Sequence, residues 1–445
     1  MPLSRYLKLY PDTDRPGSFL LYSTRKGSMV CLSAAMLDAA REGTLGEKEQ
    51  AALRRLEILI DDPAAEREAM NSLVKRANAR STRFYAKVVM NLDCNLACPY
   101  CFEYRFRGRH YMTPATARLL VDYVIREQIG RDRDVKLGFY GGEPLLSLPL
   151  IREIALPLRD AAAGKGVQFS FVLTTNGTLL TRSVVEELIP LGLTGAIVTL
   201  DGPREIHDRQ RPFVSGKGSY DTIVANAKGV FDLIDLQVGG NFGRENCRDF
   251  PLMLDHLIAE GIAPDRLGEV QFAPIMPKSG IGSADTSACC TSGSEPWVTE
   301  AAPFLREEIL KRGFKAPKPT QAACAIEFEN DLVVNHDGTL YKCPAFMGWP
   351  ELSVGTLADG VGDYAASHNL AVWQNDECLD CAYLPLCFGG CRYFTLLKNG
   401  AINDVDCRKG FFDAVLERFI RQDLQYKSLP ITQSIAFTVQ MNYNQ

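Results

Sequence analysis

The sequence predicts an α/β protein with a partial (β/α)6 barrel at its centre. Between about residues 83 and 312, apolar strand-like runs alternate six times with amphipathic helical stretches, and the flanking regions lack this rhythm. Such alternation is typical of parallel βα units. We expect a small winged-helix-like unit over residues 1–82, a cysteine-rich domain over residues 313–426, and a tail over residues 427–445 to which no role is assigned.

Composition and charge restrict the class of protein. The 445 residues are 46% hydrophobic, enough for two or three domains, and the net charge of −5 comes without a basic stripe, so nucleic acid is not expected as a partner. No apolar run approaches 18 residues, which predicts neither export nor a membrane span. The 14 cysteines cluster at short spacings, which favours metal binding in a reducing cytoplasm over a disulfide framework.

The first region contains short strands followed by helices. Strand-like runs cover Phe19–Ser23 and Met29–Leu32, and helical spacing covers Leu32–Arg41, Glu47–Leu56 and Ala64–Ala79. This order predicts a winged-helix-like unit. The unit also resembles peptide-recognition domains, which implies that it binds a leader peptide as an added strand at its sheet edge; a packing cap on the barrel is the alternative.

The barrel region yields one strand and one helix for each of six units. The predicted strands are Phe84–Asn91, Val135–Tyr140, Gln168–Thr174, Ala196–Leu200, Val238–Phe242 and Glu269–Ala273. The helices are expected to begin near Thr113, Leu148, Thr181, Ser219, Asp249 and Pro296. Functional groups of such folds lie at the carboxyl ends of the strands.

Three cysteines follow the first barrel strand as Cys94-x3-Cys98-x2-Cys101. Three thiolates cover three corners of a cubane iron–sulfur cluster, and no further cysteine occurs before Cys247, so one iron would stay open to another ligand. A zinc knuckle is the alternative, but zinc needs four N or S ligands and the motif contains no histidine.

This cysteine loop resembles that of the radical S-adenosylmethionine (SAM) enzymes. The resemblance implies that the open iron binds the amino and carboxylate groups of SAM and delivers an electron that cleaves it to a 5'-deoxyadenosyl radical. Gly141, Gly142, Glu143 and Pro144 follow the second strand and resemble the GGEP element of the family, which implies that they contact SAM. A plain turn is the alternative for this element.

The resemblance implies three further SAM contacts, each with an ordinary alternative. Asn176 follows the third strand and Arg211 lies in a loop after the fourth; the alternatives are turn chemistry and a solvated loop arginine. Tyr100 stands where the family places an aromatic near the adenine, or else packs locally. Asp201 is expected only to face the site.

In the third region the cysteines return at spacings that resemble the seven-cysteine SPASM extension. The resemblance implies two auxiliary 4Fe-4S clusters, the first held by Cys324, Cys343 and Cys391 and the second by Cys378, Cys381, Cys387 and Cys407. A pair of structural zincs is the alternative. Seven thiolates leave one position unfilled, and three alternatives stay open for it and for Cys289 and Cys290 in the polar stretch Pro277–Pro296. Either cysteine could supply the eighth ligand, the iron could stay open for the thiolate of a substrate cysteine, or the two cysteines could be plain surface thiols.

The resemblance implies a cytoplasmic radical SAM SPASM maturase with three 4Fe-4S clusters, a leader-bearing ribosomal precursor peptide as substrate, and a reductant such as flavodoxin or ferredoxin. The segment Tyr341–Phe346 and the first region resemble geopeptide-type maturases, which join a cysteine sulfur to carbon. An anaerobic sulfatase maturase forming formylglycine is the alternative, although Pro344 stands where that group would have Asp. Carbon–carbon crosslinking, epimerisation, or a protein that only transfers electrons or binds peptide are the other hypotheses.

Overall fold

The computed structural model describes residues 1–101, 103, 106–275 and 295–426. The chain forms two compact units that do not follow its linear order. Unit one contains residues 1–80, 318–328 and 369–426, and unit two contains residues 81–317 and 329–368 within the described ranges. Residues 329–368, expected in the third region, therefore belong to the unit of the barrel, while the first region shares a unit with most of the later cysteines.

Unit one begins with a three-stranded antiparallel sheet in the order β1-β2-β3. Its strands and the helices that follow are β1 (Leu7–Pro11), β2 (Ser18–Ser23), β3 (Met29–Ser33), α1 (Ala34–Glu42), α2 (Glu47–Arg55), α3 (Pro63–Asn71) and α4 (Leu73–Arg80). Strand β1 was not predicted. The single helix expected over Ala64–Ala79 is two helices that meet at Ser72, whose hydroxyl donates to the Glu68 carbonyl (2.8 Å) and so competes with the helical ladder.

Unit two contains the predicted run of parallel strands, each followed by at least one helix. The elements are β4 (Arg83–Asn91), α5 (Pro114–Glu127), β5 (Asp134–Gly141), α6 (Leu148–Lys165), β6 (Phe169–Thr175), α7 (Arg182–Leu188), β7 (Leu193–Thr199), α8 (Arg204–Gln210), α9 (Tyr220–Val230), β8 (Asp235–Phe242), α10 (Phe250–Ala259), β9 (Val270–Pro274) and α11 (Pro296–Lys311). Strands β4 to β9 pair in chain order, which confirms the predicted α/β fold class. Thr113 and Thr181 cap α5 and α7, since each side chain accepts a hydrogen bond from a backbone N–H of the first turn.

The sheet continues beyond β4 with strands that the sequence did not reveal. These are β10 (Asp331–Val334), β11 (Thr339–Tyr341), β12 (Gly355–Thr356) and β13 (Gly360–Val361). Strand β10 lies parallel to β4, with Leu332 opposite Ala86, and the other three follow antiparallel. The described part of this sheet therefore has ten strands, with β4 in its interior.

The later helices of unit one are α12 (Asp376–Leu379), α13 (Leu384–Cys387), α14 (Arg392–Asn399) and α15 (Lys409–Gln425). They share a core with the first 80 residues: Tyr6, Met70 and Val74 pack against Trp373 and Leu384. Burying large apolar side chains contributes roughly 1.5–3 kcal/mol each, so this core ties both segments into one unit. Within the described residues, no helix combines the length and apolar character that a membrane crossing needs.

Candidate active site

The three cysteines of the predicted cluster loop line one cleft at the carboxyl ends of β4 to β7. The cleft is lined by Cys94, Cys98, Cys101, Glu103, Arg107, Tyr140, Gly141, Gly142, Thr174, Thr175, Asn176, Thr199 and Arg211. Of the SAM contacts expected from the sequence, Gly141, Gly142, Asn176 and Arg211 therefore lie in the same cleft as the cysteines.

Main-chain contacts fix the cysteine loop. The Ala97 N–H donates to the Pro212 carbonyl (2.8 Å), and the Arg107 guanidinium donates to the Cys94 carbonyl (2.9 Å) and also to that of Leu96. The Leu96 N–H lies 3.4 Å from the Cys94 sulfur. A loop held at both its carbonyls and its amides presents its thiols in a defined arrangement.

Burial raises the pKa of all three thiols, to about 11 for Cys94 and about 12 for Cys101. Without a cation, these side chains are therefore neutral at physiological pH. Thiols bind metal as thiolates and release their protons on binding. A soft donor set of three thiols with an amide N–H directed at one sulfur fits an iron–sulfur cluster with one open iron.

The ends of β4 and β5 approach so closely that only glycine fits between them. A Cβ on Gly141 would lie 2.1 Å from the Asn91 carbonyl oxygen, and its φ of +132° is one that other residues rarely adopt. A Cβ on Gly142 would lie 2.2 Å from the Asp93 carbonyl oxygen. The Gly-Gly pair is thus required for packing against the strand that carries the cysteine loop, besides lining the cleft.

Glu143 lies behind the wall of the cleft. Its side chain is fully buried, and its carboxylate accepts hydrogen bonds from the Asn176 N–H (2.8 Å), the Thr175 hydroxyl (2.8 Å) and the Leu145 N–H (3.0 Å). Burial raises its pKa, although these hydrogen bonds oppose the shift. The carboxylate joins the end of β5 to the end of β6, and it positions the residues beside it.

Asn176 connects the third strand to the cysteine loop. Its side-chain N–H2 donates to the Asn95 side-chain oxygen (2.8 Å) and lies 3.7 Å from the Cys94 sulfur. Its own side-chain oxygen accepts from the Thr178 N–H (2.9 Å). Asn176 therefore lines the cleft and also lies beside Cys94, one of the predicted cluster ligands.

Tyr100, Asp201 and Arg211 form a buried polar cluster. Arg211 donates to the Tyr100 hydroxyl (2.7 Å), which in turn donates to Asp201, and the guanidinium lies 3.7 Å from the Asp201 carboxylate. Burial raises the pKa of Asp201 against the opposing effect of Arg211. Among the described residues the Arg211 Nε has no hydrogen-bond partner, so a buried donor remains for an anionic ligand in the cleft.

Sequence reasoning missed Glu103 and Tyr140, which also line the cleft. Burial raises the pKa of Glu103 to about 7, although a hydrogen bond with Tyr140 opposes the shift, and its Oε1 has no partner among the described residues. Tyr140 ends a predicted strand, and Glu103 follows Cys101 by two positions. Both could have been suspected from those positions, but each residue type is common elsewhere.

The predicted auxiliary ligands fall into groups. Burial raises the pKa of the Cys378 and Cys387 thiols, and neighbouring cysteines add to the shift, Cys381 and Cys407 for Cys378 and Cys381 and Cys378 for Cys387, all within unit one. Burial likewise raises the pKa of Cys324, and Cys391, also in unit one, adds to that shift. Cys343 belongs to unit two. The remaining candidates, Cys289 and Cys290, lie outside the described residues, as do most of Pro277–Pro296 and the tail from 427.

In the described ranges, no three His, Cys, Asp or Glu side chains converge closely enough to hold a single metal ion. The ligands of a cubane bind separate iron atoms, so they need not converge on one point.

Residues 88–250 match the family model of the Radical SAM superfamily. The chain contains a radical SAM domain. This radical SAM domain covers β4 to the start of α10, and the three cysteines, Gly141, Gly142, Asn176 and Arg211 all lie within the match. The match confirms the resemblance of this segment to a superfamily of enzymes, whose members bind SAM and a 4Fe-4S cluster.

Known proteins resemble this chain beyond residues 88–250. The cysteine-type anaerobic sulfatase-maturating enzyme of Clostridium novyi (strain NT) is 21% identical over 370 residues, which cover 75% of this chain and 96% of that protein. Native anSMEcpe, solved with bound AdoMet and Cp18Cys peptide, has a TM-score of 0.61 at 19% identity, covering 77% of this chain and 99% of its own. Streptococcus suis SuiB, bound to precursor peptide SuiA, has a TM-score of 0.51 at 17% identity and covers 91% and 98%. Identities this low establish a shared fold.

Proposed function

We propose that this radical SAM enzyme modifies a ribosomally made peptide, joining a cysteine sulfur to a backbone or side-chain carbon. The observation that carries the proposal is the single cleft in which three cysteine thiols meet Gly141, Gly142 and Arg211. Peptide substrates are supported by two proteins of the same fold, which were solved with Cp18Cys peptide and with precursor peptide SuiA. We further propose a cytoplasmic location, where thiols stay reduced, and a flavodoxin or ferredoxin as reductant.

Within the cleft, Cys94, Cys98 and Cys101 would hold the cluster. The cluster and SAM supply a 5'-deoxyadenosyl radical when bound. Arg211 would receive the carboxylate of SAM, because this residue lines the cleft and its buried Nε lacks a partner among the described residues. Asn176 and the Gly-Gly main chain would form the adjoining wall, and Tyr100 would hold Arg211 in place.

Glu143 contributes by positioning in this proposal. Its carboxylate is occupied by hydrogen bonds from the protein, so a direct contact with the ammonium of SAM, expected from the sequence, would have to replace one of them. We therefore assign to Glu143 the task of fixing Asn176 relative to Gly142.

The proposal includes two auxiliary 4Fe-4S clusters, with Cys324, Cys343 and Cys391 on the first and Cys378, Cys381, Cys387 and Cys407 on the second. The mutual electrostatic effects within the second set support its assignment. Gly390 brings the Cys387 and Cys407 segments together, since a Cβ there would lie 2.1 Å from the Asp406 carbonyl oxygen. With the cluster in the cleft, one chain would therefore bind three clusters.

For the leader of the peptide, β3 offers a sheet edge. In the described residues it pairs only with β2, and the register places the Val30 and Leu32 backbone groups toward β2 and those of Cys31 outward. The opposite edge is occupied: Arg421 donates to the Pro11 carbonyl (2.7 Å), and Lys8 pairs with Asp413 (3.6 Å). Strand addition at β3 is therefore the geometry we propose for leader binding.

Replacing Cys31 with proline should test this edge. Proline lacks the N–H that Cys31 directs outward, so a peptide strand added at this edge would lose one main-chain hydrogen bond. We expect binding of a leader-bearing precursor to weaken about tenfold. The fold itself should tolerate the change, because proline is accommodated on edge strands. Binding is measured by fluorescence anisotropy with labelled precursor. Cys31→Ala is the matched control and should bind like the wild type; equal binding by the proline variant would contradict strand addition at β3.

The second candidate function is formylglycine formation, favoured by the similarity to the sulfatase-maturating enzyme of Clostridium novyi. Against it stands Pro344, which begins a buried turn directly after Cys343 where we expected Asp for that activity. The mass of the product together with the state of its cysteine thiol decides between them, because formylglycine made from serine also loses two hydrogens but leaves the thiol free. A thioether forms as S–H and C–H become S–C, so the peptide should lose two hydrogens and retain its sulfur.

The experiment incubates anaerobic enzyme with SAM, dithionite and a cysteine-containing precursor encoded beside the gene. Tandem mass spectrometry should locate a crosslink that resists iodoacetamide. A formylglycine aldehyde would establish the second candidate, and an unshifted mass with an inverted residue would establish epimerisation. A crosslinked product whose cysteine thiol still reacts with iodoacetamide would indicate carbon–carbon bonding.

A further inference from the structure

A buried ion pair lies between two segments that carry predicted cluster ligands. Arg392 donates to Glu327 at 2.9 Å, and both side chains are almost fully buried, with 1% and 3% exposed. Arg392 directly follows Cys391 at the start of α14, and Glu327 ends the short turn that begins immediately after Cys324. The pair therefore ties the two ligand segments together inside unit one.

Other contacts hold each partner in place. Glu327 accepts the Ala371 N–H (2.9 Å), and Arg392 also donates to the carbonyls of Asn369 (3.2 Å) and Asp404 (3.4 Å). The Nε of Arg392 is buried and has no hydrogen-bond partner among the described residues. A buried guanidinium N–H without an acceptor is costly, so it fits a site that receives an anionic group.

Both charges of the pair stand beside predicted cluster ligands. Arg392 is adjacent to Cys391 in the chain, and Glu327 lies three residues after Cys324. The Glu327 carboxylate accepts hydrogen bonds at both oxygens, from Arg392 and from the Ala371 N–H, whereas the guanidinium of Arg392 retains one buried N–H without a partner among the described residues. The cation is therefore the member of the pair that is left to act on an anionic cluster.

We propose that Arg392 is a positioning residue for the auxiliary cluster that Cys324 and Cys391 would help to hold, and that its charge raises the reduction potential of that cluster. This inference rests on the cluster assignment in the proposed function. Reduction adds negative charge to a cluster, and a nearby positive charge favours the reduced form. Glu327 orients the guanidinium and partly offsets its charge.

Two single variants separate an electrostatic role from a purely structural one. Arg392→Gln removes the positive charge and should lower the midpoint potential, whereas Glu327→Gln leaves the arginine charge less compensated and should raise it. Arg392→Lys keeps the charge and should restore most of the wild-type potential. A pair that only holds the fold would give shifts of the same sign, or equal loss of iron, in both glutamine variants.

The measurement is a potentiometric titration of the full-length, anaerobically reconstituted enzyme followed by electron paramagnetic resonance, without peptide. The signal in question is the one that Cys391→Ala loses. Arg421→Gln is the matched control, because Arg421 pairs with Glu417 (2.7 Å) in the same unit, and it should leave the potential unchanged.

Shifts of the same sign in the two glutamine variants, or no shift in either, would overturn the inference. If Arg392→Gln loses the cluster, the inference is tested by the other two variants: the midpoint potential should rise in Glu327→Gln and stay near the wild-type value in Arg392→Lys. Because no peptide is present, failure of the proposed peptide chemistry leaves this result intact. Zinc in place of iron would refute the cluster assignment itself and would be seen by metal analysis.

Discussion

Replacing Cys94, Cys98 and Cys101 together with alanine should remove about a third of the iron and abolish SAM cleavage. With three four-iron clusters the wild type should carry about twelve irons per chain, and the variant about eight. The three thiols line one cleft, in which we propose that they hold a cluster. Iron and sulfide assays measure the loss, and chromatography measures 5'-deoxyadenosine released after dithionite.

Cys247→Ala is the control for this triple variant. Cys247 is a buried cysteine of the same unit, and its sulfur lies 3.7 Å from the Arg244 carbonyl oxygen, outside every predicted ligand set. Its replacement should leave iron and SAM cleavage near wild-type values. Zinc in the wild type, or full iron in the triple variant, would contradict the assignment of this cleft.

Replacing Gly141 with alanine should destabilise the barrel and weaken SAM binding. The new Cβ would lie 2.1 Å from the Asn91 carbonyl oxygen at a φ of +132°, so the ends of β4 and β5 must separate. Backbone strain and overpacking together cost about 3 kcal/mol. Because β4 leads into the cysteine loop, the displacement should also lower SAM affinity at least tenfold.

Gly164→Ala is the matched control, since Gly164 lies in α6 and a Cβ there meets no atom within 4 Å. It should raise stability by about 0.5–1 kcal/mol, as expected for a helical glycine. Denaturant unfolding and SAM titration by calorimetry measure both variants. An unchanged denaturant midpoint and an unchanged SAM affinity for Gly141→Ala would show that the strand ends tolerate a side chain.

The sequence predicted the barrel well because its signals are local. Thr113 and Thr181 cap helices within one turn. Each apolar strand can be recognised from its own residues, without knowledge of the strands that pair with it. Strand β10 has only four residues, and its place beside β4 depends on pairing across more than 240 positions. No local pattern carries that information.

The candidate site was predictable where spacing defines chemistry, as in the cysteine loop and the Gly-Gly pair. The interior role of Glu143 was not predictable, because the residues around a glutamate are the same whether its carboxylate binds a ligand or accepts hydrogen bonds from N–H groups of the protein. Glu103 was missed for a related reason: its burial and its free oxygen arise from the cleft, which strands distant in sequence form together.

The discontinuous make-up of unit one has a consequence for biosynthesis. Tyr6 and Met70 leave the ribosome long before Trp373 and Leu384, with which they share a core. At about 5–20 residues per second, the roughly 290 intervening residues take about 15–60 s to translate. During that interval the apolar face of the nascent amino-terminal segment stays uncovered, so we expect the newborn chain to depend on a chaperone until residues 369–426 emerge.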